Sequence, residues 1–124
     1  MSELTAADRV WNRATEQKRQ GKPGDAALSV LIGAHGLVMN GGVLNCVEIL
    51  SDEELQEALA GYQYFRVEVA RVFQRAKAAT DEEKDDLEST LDEEYEQIAG
   101  DELLMAVFKA HHAEHPEAYD PVDD

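Results

Sequence analysis

Apolar residues recur every three or four positions along most of this chain, and the recurrence breaks at short clusters of Gly, Pro, Asn, Ser and Thr. That period is helical, and no stretch shows the strict alternation of a strand. Thr5 stands as an N-cap with Asp8 three residues on, and Ala7, Val10, Trp11 and Ala14 follow on one face. The spacing predicts a first helix from Ala6, with residues 17–20 as its polar last turn and Gly21, Pro23 and Gly24 as its stop. The lone Trp11 reads as a core anchor.

A second helix is expected over residues 26–39, capped by Asp25. It is apolar on nearly every side (Ala26, Ala27, Leu28, Val30, Leu31, Ile32, Leu37, Val38, Met39), which marks a central helix. Gly33, Ala34 and Gly36 remove bulk, so a close helix–helix approach is expected there. His35 reads as a hydrogen-bonded core or boundary residue. Asn40-Gly41-Gly42 is expected to stop this helix, because Asn and Gly tolerate positive φ. Residues 43–50 then form a short helix or irregular segment; a hairpin at Asn40-Gly41 lacks a second strand.

Ser51 and Glu54 make a capping box. Leu55, Ala58, Leu59, Tyr62, Phe65, Val69, Val72, Phe73 and Ala76 follow as the strongest periodic run. Gly61 interrupts it at a cost of about 1 kcal/mol against Ala, which predicts helices near 52–60 and 62–78. Thr80 and Glu83 make a second box. Leu87, Leu91, Tyr95 and Ile98 then give a thin apolar stripe. Gly100-Asp101 resets the chain, Leu103, Leu104, Val107 and Phe108 mark a last helix over 102–113, and Pro116 forbids its continuation. Residues 117–124 read as a loose or docked tail. The expected fold is a single all-α domain over residues 1–124, with five to seven helices and a short segment after Asn40-Gly41-Gly42.

Charge changes the picture. Residues 1–80 carry ten acids against nine bases, whereas residues 81–124 carry seventeen acids against Lys84 and Lys109; the chain totals −16 over 124 residues. The acidic third repels nucleic acid and anionic membrane and attracts basic protein surfaces. Its core is Asp81, Glu82, Glu83, Asp85, Asp86, Glu88, Asp92, Glu93, Glu94, Glu96, Asp101 and Glu102. Like charges three and four apart repel by a few tenths of a kcal/mol, so stability alone would favour interleaved lysines. Two readings follow: a merely solvated face, or a surface that docks on a basic groove as a phosphate backbone does. The second makes all twelve carboxylates a partner-binding surface.

Other chemistry is sparse. Cys46, the one cysteine, lies in an apolar run and reads as a buried thiol. Its isolation fits a reducing cytoplasm, and the N-terminus shows no basic region followed by an apolar run. Residues 26–39 fall short of the roughly 20 apolar residues that span a bilayer. His111, His112 and His115 form the only metal-like cluster, but two histidines four apart are half a zinc site and His-Glu-x-x-His is absent. Imidazoles also suit a helix C-terminus. No metal or cofactor is predicted. Ser29, Ser51 and Ser89 lack a nucleophile context, Gly41-Gly42 lacks the strand and lysine of a phosphate loop, and Asp-x-Asp-x-Asp-Gly is missing. The expectation is a non-enzymatic protein.

Several elements resemble one bacterial family. Leu37-Val38-Met39-Asn40-Gly41-Gly42-Val43 is similar to its apolar helix ending in Asn-Gly-Gly, Glu57-Ala58-Leu59-Ala60-Gly61-Tyr62 to its Gly-Ala-like break, Leu91-Asp92-Glu93-Glu94-Tyr95 to a Leu-Asp-x-x-Tyr element, and His115-Pro116-Glu117 to its ending. Over roughly residues 26–118 the chain resembles the DNA-mimic protein C-terminal domain family. It departs in having Val43 where an aromatic is usual and in a shortened following segment. The resemblance implies an all-helical bacterial protein that imitates DNA toward a helix-turn-helix transcription factor. It transfers acidic character and no individual binding residue. The partner expected is thus a basic protein, with no direct nucleic-acid or membrane binding. The alternatives are an immunity protein for a basic nuclease toxin and a soluble helical domain of other role. A homodimer through the apolar helices also stays open.

Overall fold

A computed structural model describes residues 5–16 and 22–120. Six α-helices follow in order: α1 (Ala6–Glu16), α2 (Pro23–Ile49), α3 (Asp52–Tyr64), α4 (Ala70–Ala78), α5 (Asp81–Ala99) and α6 (Asp101–Glu114). A 3-10 turn, Pro116–Ala118, closes them. No strand occurs among the described residues, so the all-α domain expected from the periodicity is the observed fold. The expected last turn of α1 at residues 17–20 lies outside the described residues.

Capping follows the sequence. Thr5 and Asp8 exchange backbone–side chain bonds of 3.1 Å. Ser51 with Glu54 and Thr80 with Glu83 form complete reciprocal boxes. The start of α2 is different. Lys22 is the N-cap and Pro23 takes the first helical position, where a missing N–H costs nothing. Asp25 is therefore no cap. Its fully buried carboxylate accepts from Arg13 Nη2 at 2.7 Å and from the Asp120 amide at 2.7 Å, tying α1, α2 and the C-terminal segment together.

α2 is the central helix and contacts α1, α3, α4 and α5. Its first segment ends at Asn40-Gly41-Gly42 as expected: Gly42 leaves helical geometry with a positive φ (φ 93°, ψ 173°), and a short second helical segment follows across the kink to Ile49. The short helical segment that follows is capped from outside: the Val43 amide donates to Asp92 Oδ1 of α5 at 2.9 Å. Asn45 Nδ2 returns across the kink to the Leu37 carbonyl at 3.1 Å. Because α2 runs on past the kink, it is long and apolar enough to cross a membrane by length and composition, unlike the stretch expected to end at Met39. In the fold, 39% of its most apolar eighteen residues are buried.

The expected break at Gly61 is absent. α3 continues to Tyr64, and the chain turns at residues 65–69, where Arg66 takes φ 61° and the Phe65 and Val67 amides both return to the Tyr62 carbonyl. Gly61 serves packing. A Cβ there would lie 2.5 Å from Val30 Cγ2 and 2.7 Å from the Ala27 carbonyl, so its bare backbone lets α3 close on α2. Gly33 and Gly36, expected to do this, face open space.

The core gathers Val10, Leu28, Val43, Cys46, Tyr62, Val69, Phe73, Leu91, Tyr95 and Phe108. Trp11 is half-buried on Phe108, ring centres 5.5 Å apart. On α5 the stripe holds Leu91 and Tyr95, but Ile98 is exposed and Ala99 is buried in its place. The tail is docked through Asp120 by the buried Tyr119; residues 121–124 lie outside the described residues.

Candidate partner-binding face

The acidic residues of the last third fall into two groups. The first is committed to the fold. Glu83 completes the Thr80 box, and the hydrogen bonds from Thr80 hold its carboxyl below the usual range. Asp92 caps the second segment of α2. Glu94 receives both bonds from Arg75 Nη1, at 2.7 and 2.9 Å. Asp101 Oδ1 lies 2.5 Å from His35 Nε2, although its side chain is 70% exposed. Asp81 sits 3.3 Å from Lys84, whose shorter partner is Glu48 at 2.9 Å.

The second group faces solvent. Glu82, Asp85, Asp86, Glu88, Glu93, Glu96 and Glu102 are exposed and enter no ion pair among the described residues. At 3.6 residues per turn, Glu82, Asp85, Asp86, Glu93 and Glu96 fall within roughly a 100° sector opposite the buried Leu91. They run about 21 Å along the helix, the length of about six phosphates on one DNA strand. The array is one row deep. Beside it, Glu88, Asp92 and Glu96 line a polar cleft of about 390 Å³ whose other wall is the α2 backbone at residues 38–42.

Behind the acidic face lies a hydrogen-bonded chain that the sequence reading did not assemble. Tyr62 and Tyr95 hydroxyls are 2.5 Å apart, Tyr95 reaches His35 Nδ1 at 2.7 Å, and His35 reaches Asp101. One arrangement satisfies every atom of the chain: Tyr62 donates to Tyr95, Tyr95 to Nδ1, and Nε2–H to the carboxylate. Burial pushes both hydroxyls well above the ordinary tyrosine range, so they stay protonated donors. His35 is the hydrogen-bonded core residue its position suggested. A tyrosine within a buried stripe demands a polar partner, and that was the signal at Tyr95. Cys46 is buried as expected; loss of solvent pushes its thiol up to about 11, which keeps it protonated.

The histidines cluster at the end of α6. His111 and His115 rings lie 5.0 Å apart, and His112 packs instead on Phe108 and Tyr119. Among the described residues no set of three metal-ligating side chains converges. A groove of about 390 Å³ runs between α1, α2 and α3, with Ala14, Val30, Ile32 and Leu37 on its walls. Compared with family models, curated proteins and solved structures, the chain matches none.

Proposed function

We propose that this protein is a non-enzymatic acidic interaction protein whose α5 face occupies a basic protein surface. The carrying observation is the row Glu82, Asp85, Asp86, Glu93 and Glu96, exposed and without cation partners among the described residues, on a helix where Glu83, Asp92 and Glu94 are used by the fold. Mutual repulsion among them works against helix stability, and a partner's lysines or arginines would relieve it. The resemblance of residues 37–43 and 91–95 to the DNA-mimic family supports a DNA-binding protein as the target. The single row sets five carboxylates over the length of about six phosphates, so the imitation would be of one backbone lying in a basic groove.

The test is capture from the producing cell at low salt by the wild-type chain and by a Asp85→Lys, Asp86→Lys, Glu93→Lys variant. The wild type should retain a DNA-binding protein that moderate salt releases and duplex DNA displaces, and the variant should not. Recovery of a nuclease would redirect the reading to toxin neutralisation. Equal capture by both proteins would remove the acidic row from the account.

A further inference from the structure

We propose that His111 and His115 form a divalent transition-metal site through their Nε2 atoms at the C-terminal end of α6. The two residues are four apart, one above the other on the helix surface. Their Nδ1 atoms are already engaged: His111 with the Tyr119 hydroxyl at 2.8 Å, His115 with Glu117 Oε1 at 3.2 Å. Outer partners of this kind fix the orientation of metal-binding imidazoles and leave the other nitrogen for the ion. The spacing also fits. An ion about 2.0–2.1 Å from two imidazole nitrogens at a tetrahedral angle places the ring centres roughly 5 Å apart, and they are 5.0 Å apart here.

Tyr64 and Phe65 pack on the His111 ring at 4.9 and 5.3 Å and limit its swing. Two protein nitrogens leave the remaining positions to water. Imidazole ligation selects Cu²⁺, Zn²⁺ or Ni²⁺, whereas the carboxylates of α5 suit Mg²⁺ and Ca²⁺. Metal choice therefore separates this site from the acidic face.

The experiment is calorimetric titration of the tag-free full chain with ZnCl₂ in excess MgCl₂, for wild type and His115→Ala. His115 is exposed and outside the core, so this variant should keep the fold. The expected result is one zinc per chain and at least a tenfold loss of affinity in the variant. Histidine ring NMR signals provide a second readout on the unmodified protein: those of His111 and His115 should respond to zinc, and those of His35 and His112 should not. No saturable binding above the magnesium background, undiminished binding by His115→Ala, or a response centred on His112 would each overturn the assignment.

Discussion

A hydroxyl buried in a helical core must find a partner, and Tyr95 finds two. It accepts from Tyr62 and donates to His35, which passes the chain of bonds to Asp101 at the surface. Tyr95→Phe leaves the Tyr62 hydroxyl and His35 Nδ1 without that partner, at an expected cost of about 1–3 kcal/mol. Urea unfolding measures it, and a change within about 0.5 kcal/mol, the size of an ordinary surface substitution, would show that the chain of bonds holds nothing together. His111 gives a pH prediction. Burial and His115 depress its folded-state pKa. The unfolded chain therefore binds the proton first, near about 6.5. The contribution is present above that value and is lost as pH falls through the lower folded value. His111→Gln should flatten the fall in stability as pH drops from about 7 to 5, read from thermal midpoints across that range. An unchanged slope would place the titration elsewhere.

At the scale of elements, glycine separates what the sequence shows from what packing decides. Gly61 and Gly33 are both helix-interior glycines, and local propensity treats them alike. Gly61→Ala would drive a methyl group to 2.7 Å from the Ala27 carbonyl, a backbone atom that yields poorly. The expected cost is about 1–3 kcal/mol despite the better helix former. Gly33→Ala meets open space and should stabilise by about 0.5–1 kcal/mol. Chemical denaturation of the two variants checks the opposite signs; equal shifts would contradict the α2–α3 packing. Helix number, both Ser and Thr capping boxes and the apolar central helix were legible because they depend on residues near in sequence. The end of α3 was not, since an alanine-rich turn around Gly61 looks the same whether it bends or is pressed on Val30. The break at Gly42 with a short helix beyond it was legible, but the cap of that second segment was not, because it comes from Asp92, far away in the chain. Asp25 has the composition of a cap, and only its neighbours Arg13 and Asp120 show that it is a buried tie.

For the whole molecule, the division of carboxylates between fold and solvent is what gives the acidity a direction. The sequence presents twelve equivalent acids across residues 81–102; the structure gives Asp81, Glu83, Asp92, Glu94 and Asp101 partners within the fold and leaves an outward row of five on α5, with Glu88 and Glu102 exposed beside it. Which acids belong to which group was not legible, because Arg75, Val43 and His35 reach them from other helices. Long-range attraction from such a row speeds encounter with a basic partner and weakens steeply with salt. Replacing Asp85, Asp86 and Glu93 by Lys removes repulsion within α5 and breaks no ion pair of the described structure, so thermal stability should hold or rise slightly. The most direct measurement is therefore the salt dependence of affinity for the captured basic partner, wild type against this triple-lysine variant, with folding monitored by circular dichroism. The account predicts a steep loss of wild-type affinity with salt, competition by duplex DNA, and near-complete loss of binding in a variant that remains fully helical. Affinity that is insensitive to salt, or a fully helical variant that binds as well as wild type, would contradict it.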